Sequence, residues 1–134
     1  MKTEIDWQQL KSVALKARDR AYAPYSKFHV GAALLTESGE IFSGCNVENA
    51  SFGITICAER VTISSAVAAG HRRFKAIAVC AHPLASPCGS CRQFIVEFGE
   101  DIEVLSFDAD APDKELRWTS AGLLPDLFRL REAL

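Results

Sequence analysis

Three cysteines and a glutamate, set where helices begin, constrain this chain more than anything else in it. They stand in Cys57-Ala58-Glu59-Arg60 and, further on, in Pro87-Cys88-Gly89-Ser90-Cys91. Cys88 and Cys91 are three residues apart, so on one helix they share a face. Helical side chains lean toward the helix N-terminus. Both sulfurs therefore project into the space in front of their helix, as Cys57 does from the start of its own. A fold that uses the three thiols together must bring two helix N-termini to one point. The positive ends of two helix dipoles favour thiolate over thiol there. Three thiolates hold a tetrahedral zinc ion with one position open, as catalytic zinc sites do, whereas structural sites fill all four.

The charge balance adds to this. Zinc with three thiolates carries a net negative charge, which opposes loss of a proton from water at the open position. Two helix N-termini, each worth roughly half a positive charge, offset it. So does Arg60, which shares the face of Cys57 and can donate to the sulfurs. Glu59 is a carboxylate able to handle the proton of that water. On an ideal helix it lies about 200° around from Cys57. It approaches the metal only if Cys57 occupies the first turn and both side chains lean forward. Two alternatives stay open. One is a closed structural zinc site with a fourth ligand from Cys45, Cys80, His82, His71 or His29. The other is three thiols packed in a core with no metal.

The 134 residues suffice for one domain, taken as 1–134, and are too few for two ordinary ones. A domain of this size buries roughly two-thirds of its unfolded surface, so it needs no disulfides. The five cysteines are an odd number. With a polar Met1–Trp7 and no apolar signal segment, metal is a better reading of them than disulfides. The expected location is the cytoplasm. The longest wholly apolar run, Ala76 to Ala81, is far too short to span a bilayer. A net charge of −2 with no dense basic block disfavours a nucleic-acid groove. The one basic cluster, His71-Arg72-Arg73 with Lys75, follows a helix C-terminus, where cations oppose the negative dipole end in water.

Apolar spacing predicts an amphipathic helix over Asp6 to Ala21, with Asp6 as N-cap and Pro24 closing it. Phe28 to Leu35 and Ile41 to Val47 read as a hairpin around Glu37-Ser38-Gly39-Glu40. Cys57 to Ala69 reads as a helix with Gly70 at its end. Phe74 to Ala81 reads as a central buried strand. Cys88 to Phe98 is a helix after Pro87, and Ile102 to Phe107 another strand. Ala109 to Arg117 reads as irregular, and Ser120 to Leu134 as a helix interrupted by Pro125. The order predicts helices on both faces of a mixed sheet in three layers. Cys45 and Cys80 fall in predicted strands and read as packing residues. Trp7 and Trp118 read as packing or interface residues.

Cys-x-Glu followed by Pro-Cys-x-x-Cys is the three-cysteine form of the zinc nucleobase deaminase signature. The placing of Glu59 and Pro87 within it favours the catalytic zinc over the two alternatives. Around it stand Ala21-Tyr22-Ala23-Pro24-Tyr25-Ser26-Lys27-Phe28, Val30-Gly31-Ala32-Ala33-Leu34, Gly44-Cys45-Asn46-Val47-Glu48-Asn49-Ala50-Ser51, Arg92-Gln93 and Leu123-Leu124-Pro125. With these the chain resembles the cytidine deaminases of nucleoside salvage, in particular the small homotetrameric type, from about Asp6 to Phe128. The resemblance implies an α/β/α sandwich around a five-stranded mixed sheet and one zinc per subunit. It implies that Asn46 and Glu48 hydrogen-bond the ribose and that Phe28 packs against the pyrimidine. The Ala58 N–H would bind the base O2, and Phe128 of a neighbouring subunit would help cover the base. Read without the resemblance, Asn46 and Glu48 are turn residues and Phe28 a core residue.

The expected reaction is hydrolytic deamination of free cytidine and 2′-deoxycytidine, with Glu59 as proton carrier and neither nucleic acid nor membrane as partner. The alternatives are deamination of a modified cytosine nucleoside such as blasticidin S, and an idle zinc-binding scaffold. Retention of Glu59 opposes the scaffold, and the acidic balance opposes an editor of polynucleotides. Three segments depart from the family's pattern: Phe52 in place of a tyrosine, His82-Pro83 in a short approach to the second motif, and Asp108 to Thr119.

Overall fold

The computed structural model describes residues 4–130. Its elements run α1 (Trp7–Arg18), β1 (Gly31–Thr36), β2 (Ile41–Cys45), a 3-10 turn (Phe52–Ile54), α2 (Ala58–Ala68), β3 (Phe74–Ala81), α3 (Gly89–Val96), β4 (Glu103–Asp108), β5 (Glu115–Thr119) and α4 (Ser120–Leu123). Asp6 caps α1 as its spacing predicts, accepting from the Gln9 N–H at 3.1 Å. At the end of α2 the Gly70 N–H donates to Val67 O and the His71 N–H to Ala66 O, the paired bonds of a glycine-terminated helix.

The five strands form one mixed sheet in the order β2-β1-β3-β4-β5. Only β3 and β4 are parallel, joined through α3; the other neighbours are antiparallel. Period-two alternation divides the apolar residues between two faces. Ala33, Leu35, Ala78, Cys80, Leu105 and Phe107 pack with Leu10 and Ala14 of α1 on one side. Ala32, Leu34, Ile77, Val79 and Val104 pack with Ile63 of α2 and Ile95 of α3 on the other. Full burial of each large side chain is worth about 1.5–3 kcal/mol. The result is the three-layer α/β/α arrangement expected from the element order.

Two glycines set how closely helices approach the sheet. A Cβ on Gly31 would lie 2.2 Å from Ala14 O and 2.4 Å from Arg18 N, so the backbone of α1 rests directly on β1. A Cβ on Gly44 would lie 2.5 Å from Thr62 Oγ1, so α2 is similarly close to β2.

Three expectations are corrected. Residues 115–119, read as mostly irregular, form the edge strand β5. Leu116 and Trp118 alternate there with Glu115 and Arg117, and an edge with one solvated face tolerates those charges. Among the described residues, the predicted helix Ser120 to Leu134 is only the four residues of α4. Leu124 leaves the helical region ahead of Pro125, as the residue before proline tends to do. The remainder of that prediction, residues 131–134, lies outside the described residues. Finally, β1 and β2 are shorter at the site end than predicted. There the Asn46 side chain replaces ladder hydrogen bonds, accepting from the Val30 N–H at 2.9 Å and donating to Phe28 O at 2.8 Å.

Candidate active site

Cys57 and Cys88 are the N-caps of α2 and α3, in extended backbone with no hydrogen bond from their side chains to the helix. Neither sulfur is spent on capping, so both face the space between the two helix starts. Cys91 lies in the first turn of α3 and is buried. The sulfurs of Cys57, Cys88 and Cys91 all lie within 4.8 Å of one another, with Cys57 and Cys88 at 3.8 Å. A disulfide requires about 2.0 Å. A tetrahedral zinc with bonds of about 2.3 Å separates its sulfurs by about 3.8 Å. The donor set therefore fits that ion. Cys45, Cys80, His29, His71 and His82 do not join the cluster.

The electrostatics favour the thiolate at Cys57. A hydrogen bond from the Cys91 thiol, together with the Arg60 guanidinium, holds Cys57 down at about 5. Cys91, which donates that bond and is buried, is pushed the other way. Arg60 Nη2 donates to Thr55 O at 3.1 Å and reaches Cys57 Sγ at 3.8 Å. Its Nε is buried with no partner. Cys80 behaves as the packing residue it was read to be, fully buried, its thiol raised to about 11 by burial. Cys45 is half-buried.

Glu59 is 5% exposed. Burial is the main cause that pushes its carboxyl up to about 7, and the Cys57 thiolate adds to it. A carboxyl poised there can take and return a proton near neutral pH. Cys57 as N-cap and Glu59 two residues on both line one cavity of about 260 Å³, close to the small end of ligand pockets at roughly 300–1,000 Å³. Cys57 thus stands just before the first turn, not within it, and shares a cavity with Glu59. Phe28, Asn46, Glu48 and Ala58 line the same cavity.

Asn46 and Glu48 also have structural duties that residue type alone does not reveal. Asn46 holds the Phe28–Val30 backbone, and each end of its amide retains one hydrogen-bonding position. Glu48 accepts from the N–H groups of Tyr25 and Ser26 and, in a very short bond, from the Ser26 hydroxyl. The Ser26 hydroxyl is the leading cause that lowers the Glu48 carboxyl below its ordinary range. Ser26, Thr55, Ala85 and Ser86 line the cavity without having been singled out. For Ser26 the available signal was its place in a turn after Pro24; for Ala85 and Ser86 there was only proximity to Pro87.

Phe128 does not line this cavity. It is 67% exposed and lies beside α3, its carbonyl accepting from Gln93 Nε2 at 3.3 Å. Arg92 fastens the approach to the second cysteine motif, donating from Nε to Pro87 O at 2.8 Å and from Nη1 to Leu123 O at 2.9 Å.

The family model described as the zinc-binding region of cytidine and deoxycytidylate deaminases matches residues 5–106. A cytidine deaminase of Sporosarcina psychrophila is 53% identical over 130 residues, covering 92% of each chain. The crystal structure of a cytidine deaminase from Burkholderia pseudomallei superposes with a TM-score of 0.87 at 46% identity, covering 92% of this chain and all of that one. A blasticidin-S deaminase of Bacillus cereus is 39% identical, over 60% of this chain and 64% of its own.

Proposed function

The chain belongs to the cytidine and deoxycytidylate deaminases, and from that premise we propose that it hydrolyses free cytidine and 2′-deoxycytidine to uridine and 2′-deoxyuridine, releasing ammonia, as a single domain spanning residues 1–134. The carrying observation is a cluster of three cysteine sulfurs within 4.8 Å of one another, two of whose residues, Cys57 and Cys88, line one cavity with the buried Glu59. Cys57, Cys88 and Cys91 would hold zinc, which supplies Lewis acidity that makes water acidic enough to attack at neutral pH. Glu59 takes the proton released by the attacking water and delivers it to N3 of the pyrimidine. It then moves the proton of the new C4 hydroxyl to the amino nitrogen, so that the C4–N bond breaks, ammonia leaves and the C4 carbonyl forms. Arg60 keeps a positive charge against the Cys57 sulfur. The Ala58 N–H, free at the helix start, binds O2 of the base, and Phe28 packs on its ring.

Asn46 and Glu48 bind the sugar through the hydrogen-bonding positions that the backbone leaves them. Glu48, kept ionised by Ser26, repels a phosphate placed near the sugar. A site built to pair with hydroxyls disfavours a base without a sugar, because its own polar groups are left unpaired. One assay panel tests this. Cytidine and deoxycytidine should exceed cytosine, CMP and blasticidin S in kcat/KM by at least about 10²-fold. Equal or better turnover of CMP, cytosine or blasticidin S overturns the nucleoside assignment.

We also infer a homotetramer in which Phe128 of one subunit covers a neighbour's base. The support is the family resemblance together with an exposed set of large apolar side chains, Tyr25, Phe52, Ile54, Ile56 and Phe128 among them. Tyr25 and Phe52 meet edge to face at 5.7 Å. A reducing compartment such as the cytoplasm suits a chain whose five cysteines are all free thiols.

A further inference from the structure

Asp108 is a buried carboxylate that deamination does not use; it is 4% exposed. It ends β4 directly opposite Ala81, the last residue of β3, and Ala81 lines the cavity. Three donors converge on it. His82 Nδ1 lies 3.0 Å from Oδ1, the Asp110 N–H donates to the same oxygen at 2.8 Å, and the Leu84 N–H reaches Oδ2 at 3.3 Å. His82 turns its other nitrogen, Nε2, to Asp110 Oδ2 at 3.3 Å. With the proton on Nδ1 the ring donates to Asp108, and a second proton on Nε2 would let it donate to Asp110 as well. The Ala109 N–H donates to Ala81 O at 2.9 Å and ties the two strand ends together.

The segment held in this way runs into the cavity wall. Ala85 and Ser86 line the cavity beside Cys88. The far end of the segment is fastened separately, because Arg92 grips Pro87 O and, from Nη2 at 3.2 Å, Ser86 Oγ. His82, Asp108 and Asp110 are close enough together to hold a metal, but their geometry suits a clamp instead. His82 gives a different nitrogen to each carboxylate, and the Asp108 oxygens already take two backbone N–H groups, so their lone pairs do not aim at one empty point.

We propose that His82, clamped between Asp108 and Asp110, is a positioning residue that sets the Ala85–Ser86 wall and thereby how tightly the nucleoside is held. This rests on the nucleoside-deaminase reading. The reacting groups stand elsewhere: Cys57 and Glu59 at the start of α2, Cys91 in α3, and Cys88 behind the Arg92 fastening. Releasing the wall should therefore weaken substrate binding and leave the proton transfers intact. Misplacing a positioning group by about 1 Å can cost on the order of 10²-fold.

The test compares the zinc-loaded protein with His82→Ala, His82→Asn and Asp110→Asn in four readouts: cytidine kcat, cytidine KM, bound zinc, and amide hydrogen exchange over residues 82–86. His82→Ala should raise KM roughly tenfold, leave kcat within about twofold and zinc unchanged, and speed exchange at Leu84. In His82→Asn the introduced amide would reach Asp108 from near the Nδ1 position, so this variant should restore most of KM and exchange. Asp110 is exposed, and Asp110→Asn should shift KM by no more than about twofold. An unchanged KM in His82→Ala overturns the proposal. So does a fall in kcat that tracks zinc loss, which would mean that the clamp serves Cys88 and not the wall. If the unmodified protein turns over no cytidine, the deaminase reading fails, and exchange at Leu84 alone decides the clamp: faster supports it, unchanged overturns it.

Discussion

Glu48 and Asp108 show at the residue scale how buried carboxylates keep their charge. Each is ringed by donors, and in each case a side-chain hydrogen bond is the leading cause of a lowered pKa, from Ser26 for Glu48 and from His82 for Asp108. Asp108 falls from 3.8 to about 2. A depressed folded-state pKa gives stability that is present above the unfolded value and is lost as pH falls through the folded one. The stability advantage of the unmodified protein over Asp108→Asn should thus be full above about pH 5 and should shrink between about pH 4 and pH 2. Urea unfolding of both proteins across that range measures it, and a gap independent of pH contradicts it. Glu48→Gln keeps the shape of the side chain but loses its charge, so kcat/KM for cytidine should fall roughly ten- to hundredfold with zinc retained. Steady-state kinetics with metal analysis checks this, and unchanged kinetics would leave Glu48 only its hold on residues 25 and 26.

Helix starts and glycine contacts carry the site at the element scale. Cys57 and Cys88 act as helix caps whose own side chains make no cap hydrogen bond, which leaves both sulfurs at the junction of α2 and α3. That junction is held in place by close packing of the sheet against its helices. Gly31→Ala would drive a methyl into the backbone of α1, a contact that no side-chain rotation relieves. It should cost about 1–3 kcal/mol or more and lower Tm by roughly 5–15 °C. A thermal melt within a degree or two of the unmodified protein would show that α1 moves aside freely. The Asp6 cap, α1, the hairpin and the central strand were legible in the sequence because each carries a local signal: a capping aspartate, a turn, or an unbroken apolar run. Strand β5 was not, since its charged residues 115 and 117 suit an edge strand and an irregular segment equally. The last helix was over-read because its apolar spacing continues past a proline that ends it.

The whole molecule joins elements distant in sequence into one chemical device. The cysteine spacing implied that α2 and α3 must meet, and they do so on one face of the sheet. The second duty of Asn46 and Glu48, and the clamp on His82, depend on partners in other segments and left no local pattern to read. Phe128 lies apart from the cavity of its own chain, and the proposed tetramer would cover it and the other exposed apolar side chains. Light scattering should therefore give four chains per particle, and activity should fall on dilution as the particle dissociates. A fully active monomer would remove the shared site. In the proposed reaction a zinc held by Cys57, Cys88 and Cys91 and the buried carboxylate of Glu59 act together. The most direct test of this is turnover of cytidine by zinc-loaded Glu59→Gln. The predicted result is a fall in kcat of about 10²–10⁴-fold or more, with one zinc per chain and an unchanged melting temperature. Near-normal turnover by that variant, verified by mass, would contradict it.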